Sequence, residues 1–178
     1  SNLYTSLIDT YQKNYDQNNK SEMFFEINNV FDAGEHATYD AIPNQVYSLS
    51  GLVPSFTTSP DTREDPTKHD IYYLKNILNN CFGNLTFKQM QKPGFHQNIS
   101  FLIMKNNSKI GHFGQLSTQL EKSYEFKNQI YLFNIDLTTI NSSDLDNINY
   151  KALSPYPFVK FDLSFNVKNG FNAQELID

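Results

Sequence analysis

Four strand-like segments follow one another between residues 85 and 137, and this run constrains the fold more than any other feature of the chain. Each segment is six to nine residues long and is bounded by polar turns. In order they are LTFKQM (85–90), ISFLIM (99–104), KIGHFGQL (109–116) and QIYLFNIDL (129–137). A short helix is expected over residues 117–124. Because most strands follow one another along the chain and do not alternate with helices, the pattern predicts an α+β fold with a mostly antiparallel sheet.

The first half of the chain supplies two further strands and a helix. Apolar residues at helical spacing predict an amphipathic helix over residues 3–16. The segment MFFEINNVF (23–31) has the pattern of a buried strand, and QVYSLSGLV (45–53) alternates between apolar and polar residues. Residues 54–67 are rich in Ser, Thr, Pro and Asp, so an exposed loop is expected there.

A second helix is predicted after His69 and Asp70. Six apolar residues share one helical face, and Gly83 stands where a glycine commonly ends a helix. These residues are Ile71, Leu74, Ile77, Leu78, Cys81 and Phe82. Since Cys81 lies on the apolar stripe, we expect a small core residue rather than a nucleophile.

The composition excludes several classes of protein. The 178 residues include 39% apolar and 15% aromatic residues, enough for a core without disulfides, and the single Cys81 cannot form an internal one. No apolar run approaches the roughly 20 residues of a membrane span. The net charge of −5 argues against autonomous binding of DNA or RNA, because contacts to phosphates supply most of that binding energy. We therefore expect a cytoplasmic protein without a DNA or membrane partner.

No motif that carries chemistry is present. The sequence lacks the metal patterns HxxxH, HExxH and CxxC, the phosphate loops GxxxxGKS/T and GxGxxG, and the hydrolase elbow GxSxG. His69 and His112 are interpreted as structural residues. Gly111 and Gly114 lie in a predicted strand, which indicates close backbone packing or a bulge. The sequence therefore predicts no catalytic, cofactor-binding or metal-binding residue.

Six segments, taken in order, carry a resemblance to a known family. They are LYTSL (3–7), MFFEINNVF (23–31), DIYYLKNIL (70–78), FHQNISFLIMKNNSKIGHFGQL (95–116), QIYLFNIDLTTI (129–140) and SPYPFVKFDLSFNV (154–167). This series resembles the beta subunit of bacterial phenylalanyl-tRNA synthetase, whose patterns include LRTSLLP, LFEIGRVF, GELHP and SKYPAVRRDLALVV. The chain departs from those patterns at several positions, namely Tyr4 for Arg, Asn76 for Gly, Gln97 for Pro, Ser117 and Thr118 for His-Pro, and Phe161 for Arg.

The resemblance implies an architecture and a role. Residues 1–153 would form a module of the class II aminoacyl-tRNA synthetase type, an antiparallel sheet flanked by helices. Residues 154–178 would be the truncated beginning of a ferredoxin-like anticodon-binding domain. The module would support the alpha subunit in an α2β2 assembly, where alpha charges tRNA(Phe) with phenylalanine using ATP and Mg²⁺, and tRNA would be contacted only indirectly.

The residues at 158–167 fit this beginning of a domain. Alternate apolar residues place one apolar face on a predicted strand, and Asn172 and Glu175 have the spacing of a capping box. The alternating residues are Val159, Phe161, Leu163, Phe165 and Val167.

The residue chemistry independently argues against amino-acid activation by this chain. Class II enzymes bind ATP phosphates with arginine, whose planar guanidinium matches phosphate oxygens in pairs. The single arginine is Arg63, in the polar loop beside Asp61, Glu64, Asp65 and Lys68. Strand residues that could face a nucleotide, Glu26, Asn28 and Asn134, carry no positive charge. We therefore expect no cofactor on this chain and no activity from it alone.

Two alternatives remain open at this stage. One is a small-molecule-binding domain or enzyme, with residues 54–68 as a lid and His96 or His112 as its acid–base group beside a carboxylate in a deep polar pocket. The other is an unrelated protein-interaction module, which would lack the class II antiparallel sheet. The abundant aromatic residues fit either an interface or the core of the module itself.

Overall fold

A computed structural model describes residues 3–32, 44–57 and 66–140. All of them belong to one compact unit, Ser1–Asp146. The predicted domain start at 154–178 and Arg63 lie outside the described residues.

The chain forms three helices, one 3₁₀ turn and eight strands within its described parts. The helices are α1 (Tyr4–Asp16), α2 (Ile71–Phe82) and α3 (Thr118–Ser123), and the 3₁₀ turn is Leu137–Thr139. The strands are β1 (Phe24–Asp32), β2 (Asn44–Pro54), β3 (Phe56–Thr57), β4 (Thr67–Lys68), β5 (Thr86–Gln89), β6 (Phe95–Lys105), β7 (Ser108–Leu116) and β8 (Ile130–Asp136).

Six strands form one sheet in the order β1-β2-β8-β7-β6-β5, and every neighbouring pair is antiparallel. Strands β3 and β4 pair separately, inside the segment that the sequence predicts to be a loop. The α+β prediction with an antiparallel sheet is confirmed.

Two local features fix the register of the central strands. Asn106 and Asn107 connect β6 to β7 with φ angles of 48° and 65°, as a two-residue hairpin turn requires. A side chain at Gly111 or Gly114 would collide with the backbone of β8 or β6, at Asn134 and Ile99 respectively. The predicted close packing at these glycines is therefore confirmed.

One helix packs against each face of the sheet. Successive strand residues point to opposite faces, so each strand contributes to both cores. Helix α1 packs against one face through a largely aromatic core. Its members are Tyr4, Leu7, Ile8, Tyr11, Tyr15, Leu52, Phe95, Leu116, Phe126, Ile130 and Leu132. Helix α2 packs against the other face. That core contains Val53, Leu74, Leu78, Phe82, Leu85, Ile103, Ile110, Phe113, Tyr131 and Ile135.

The tyrosines of α1 are buried in the core of the module itself. The Tyr11 hydroxyl donates to the carbonyl of Lys20 at 2.7 Å and accepts from the Asn128 amide at 2.9 Å. Burial raises the pKa of Tyr11 to about 12. Tyr15 accepts from the backbone N–H of Lys127 at 2.9 Å. These bonds satisfy two buried hydroxyls and fix the segment that leads into β8.

The prediction that Cys81 is a core residue is wrong, because its side chain is exposed. The buried positions of α2 are Leu74, Leu78 and Phe82, which follow one another at intervals of four residues. Adjacent helical residues point about 100° apart, so Cys81 lies well to the side of Phe82 in the last turn. The apolar stripe in the sequence is wider than the strip that the sheet covers.

We expect Leu74→Ala to lower the free energy of unfolding by about 2–5 kcal/mol, because Leu74 is fully buried against the sheet and its loss leaves a cavity. Chemical denaturation of the chain measures this change. Asn76→Ala on the exposed side of the same helix is the matched control and should cost nothing measurable. Equal destabilisation by the two variants would contradict the packing of α2.

Candidate functional site

The α1 face of the sheet has a polar half beyond the reach of the aromatic core. Ser48 and Ser50 share this face with Leu52, and Asn134 shares it with Leu132, since alternate strand residues point the same way. Ser48 and Ser50 are 1% and 0% exposed. The Asn134 amide donates to Ser48 Oγ at 2.5 Å and to Ser50 Oγ at 2.8 Å, and Ser48 Oγ donates to the Ile135 carbonyl at 3.3 Å. Asn134 is thus engaged inside the sheet.

Glu26 on the same face joins β1 to α1. Its carboxylate accepts from Ser6 Oγ at 2.5 Å and from the Asn28 amide at 3.4 Å. The three residues singled out as able to face a nucleotide, Glu26, Asn28 and Asn134, therefore bond to neighbouring side chains. A carboxylate repels phosphate, so the charge at Glu26 opposes the binding of ATP on this face.

Tyr4 and His112 form the buried contact between the start of α1 and β7. The Tyr4 hydroxyl lies 2.8 Å from His112 Nε2, and both rings meet Phe95 edge to face. Burial raises the pKa of Tyr4. Burial, together with the nearby ammonium groups of Lys92 and Lys109, lowers the pKa of His112 to about 3. A general base needs a pKa near the working pH, so His112 is poorly suited to that role.

The other two described histidines also lack the arrangement of an acid–base site. His96 Nδ1 accepts from the backbone N–H of Asn98 at 3.3 Å. It lines a depression of about 500 Å³ whose described walls, residues 94–98 and 117–119, contain no carboxylate.

His69 lines a second depression, of about 590 Å³, together with Asp70. His69 stacks on Tyr73 at 3.9 Å and bonds Thr57 at 2.9 Å through Nε2. Burial lowers the pKa of His69, although the charge of Asp70 opposes this shift. The Asp70 carboxylate accepts from the backbone N–H of Tyr73 at 2.9 Å and caps α2. The carboxylate beside His69 is therefore engaged in helix capping.

The described ranges hold neither a cluster of metal ligands nor a helix that could span a membrane. Across residues 3–32, 44–57 and 66–140, no group of three His, Cys, Asp or Glu side chains is placed to hold a metal ion. No helix of those same ranges is long and apolar enough to cross a membrane.

The most conspicuous surface of the module is apolar. We call Phe25, Ile27, Phe31 and Tyr47 the β1 surface; their side chains are 73%, 45%, 52% and 48% exposed. Opposite Ile27 in the register lies Leu49, which packs into the α2 core. The β1 surface therefore extends that core outward to the edge of the sheet.

The sequence prediction of a buried strand at 23–31 is wrong, because its residues are half-buried on one face and largely exposed on the other. Within the described part of the chain, β1 pairs only with β2, so it is an edge strand. Phe24 packs against the α1 core. Phe25 and Ile27 lie on the opposite face, where α2 does not cover them. Apolar residues on both faces of a strand are typical of a strand that is buried on both faces. The strand order is needed to show that one face of β1 is open.

The comparisons with known proteins identify the relatives of this chain. Residues 1–137 match the family model of the phenylalanyl-tRNA synthetase beta chain CLM domain. The chain belongs to this family. It is 27% identical over 182 residues to the phenylalanine–tRNA ligase beta subunit of Carboxydothermus hydrogenoformans and 24% identical over 179 residues to that of Thermotoga maritima. These alignments cover 99% and 98% of this chain and 22% of each relative, so the chain spans about a fifth of their length.

A solved structure supports the fold. The pyrrolysyl-tRNA synthetase of Desulfitobacterium hafniense superimposes with a TM-score of 0.53 at 11% identity, over 76% of this chain and 46% of that one. The CLM-family chain therefore has a synthetase-like fold, and the resemblance seen in its sequence to the phenylalanyl-tRNA synthetase beta subunit is confirmed. An unrelated interaction module is excluded by family membership.

The low pKa of His112 predicts a loss of stability in acid. The folded state disfavours protonation, whereas the unfolded chain takes up a proton near the ordinary pKa of 6.5. The contribution of His112 to the stability of the folded state is therefore fully present above pH 6.5, and it falls as the pH drops from 6.5 towards 3. Between pH 7 and pH 5 we expect His112 to account for a loss of roughly 2 kcal/mol in the free energy of unfolding.

Urea denaturation of the wild type and of His112→Gln at both pH values measures this contribution. The variant should lose less stability than the wild type on acidification, and His96→Gln serves as the histidine control. An unchanged pH dependence in His112→Gln would contradict the buried Tyr4–His112 contact.

Proposed function

We propose that this chain is a non-catalytic region of the beta subunit of phenylalanine–tRNA ligase. Its role is to support the alpha subunit, which charges tRNA(Phe) with phenylalanine using ATP. The observation that carries this proposal is the polar half of the α1 face, where Ser48, Ser50 and Asn134 bond to one another and the carboxylate of Glu26 bonds to Ser6.

The chemistry of adenylate formation supports a non-catalytic role. A nucleotide on a sheet face needs cationic side chains aimed at its phosphates, or a metal, to neutralise them. Ser48, Ser50 and Asn134 are committed to one another, and Glu26 is committed to Ser6. ATP and Mg²⁺ would then be bound by the alpha subunit, and this chain would bind no cofactor.

The assembly that we propose is α2β2, with tRNA contacted only indirectly by this region. The net charge of −5 disfavours strong contact with a phosphate backbone. Residues 154–178 would begin a ferredoxin-like anticodon-binding domain, after a catalytic-like module at 1–153. The assembled enzyme would act in the cytoplasm on tRNA, with neither DNA nor a membrane as its partner.

The isolated chain should show no ATP–pyrophosphate exchange with phenylalanine, because Ser48, Ser50 and Asn134 are bonded to one another and the carboxylate of Glu26 repels phosphate. The alpha subunit encoded in the same genome should bind the chain, as measured by calorimetry of the purified proteins. The catalytic subunit of an unrelated synthetase is the control and should not bind.

Two results would overturn the proposal. Adenylate formation by the isolated chain would show that it is catalytic. A wild-type chain that fails to bind the matching alpha subunit at micromolar concentration would remove the supporting role.

A further inference from the structure

We propose that the β1 surface is the face on which the alpha subunit docks. This inference rests on the proposed function and adds the position and chemistry of the contact. Phe25, at one end of this surface, is the most exposed large apolar side chain of the described chain, at 73%.

The size of the β1 surface fits a contact with a folded partner. A buried aromatic side chain covers about 150–250 Å², so the exposed fractions of Phe25, Phe31 and Tyr47 leave roughly 250–450 Å² of aromatic surface in water. A patch of this size is often functional. A standard interface buries about 800 Å² per partner, of which the β1 surface would form the apolar centre.

The residue types of the β1 surface are those of an interface centre. Phe25, Ile27, Asn29 and Phe31 alternate along one face of β1, and none is charged. The carboxylate of Glu26 lies on the opposite face, bonded to Ser6. Interface centres are depleted of charge and enriched in Phe and Tyr.

The backbone of β1 offers a second means of recognition. Nine residues of β1 pair with β2 on one side, and in the described part of the chain no strand pairs on the other side. An extended segment of a partner could add to this edge, with side chains at alternate positions reaching the apolar face. The pairing with β2 already holds the strand in place, so binding would cost little conformational entropy in β1.

The charge of the chain favours the alpha subunit over a second copy. Each copy carries a net charge of −5, and like net charges keep molecules apart at neutral pH. A neutral apolar face on an acidic module is better matched by a different protein. Under the proposed function, that protein is the alpha subunit.

The test compares Phe25→Ser with Tyr72→Ser in calorimetric binding to the matching alpha subunit. Tyr72 is 67% exposed on α2, where it contacts Lys75 near the β5–β6 end of the sheet, so it controls for the loss of an exposed aromatic ring. We expect Phe25→Ser to raise the Kd at least tenfold and Tyr72→Ser to change it less than twofold. Urea denaturation verifies that both variants remain folded.

Hydrogen exchange of the wild-type complex gives a readout without any substitution. Binding should protect amides of β1 and leave those of β5, at the other edge of the sheet, unchanged. The proposal is overturned if the wild type binds alpha while Phe25→Ser binds equally well and β1 gains no protection. It is also overturned if the chain alone sediments as a dimer that Phe25→Ser dissociates, since a second copy would then cover the surface. Absence of binding by the wild type would instead reject the proposed function.

Discussion

The pairing of β2 with β8 is the interaction on which the rest of the module depends. It joins residues 76 to 88 positions apart in the chain, from Pro54 opposite Ile130 to Ser48 opposite Asp136, and so inserts β8 between the first hairpin and the later strands. The α1 and α2 cores both form across this pair, as does the network of Ser48, Ser50 and Asn134. Closing so long a loop is entropically costly, and burial on both faces offsets that cost.

The elements of this fold are predictable from the sequence because their signals are local. Alternation defines β2, polar turns bound the strands β5 to β8, a helical period defines α1, and Asp70 with Gly83 marks the ends of α2. The order of the strands is a long-range property that no local pattern carries. The open face of Phe25 and the exposed side chain of Cys81 escape prediction for this reason, since both depend on which neighbour covers a position.

Three side chains on the polar α1 face, Glu26, Asn28 and Asn134, can be singled out from the sequence. Residue types alone indicate that Glu26, Asn28 and Asn134 cannot neutralise a nucleotide, and the family resemblance indicates a beta subunit. The contacts that occupy these residues were not predictable. Tyr4 meets His112 from 108 positions away, and it stands where the family pattern has arginine. The sequence shows that a residue type has changed, and the structure shows that the new side chain serves packing.

The edge of β1 that no described strand pairs with has a consequence for how such a protein is made in a cell. A long apolar edge strand is a template for pairing with any other exposed strand, including those of chains still folding. Copies of the chain that lack a partner to cover this strand are therefore exposed to aggregation and proteolysis. Under the docking proposed above, matched production of the alpha subunit would protect the chain by keeping this edge covered.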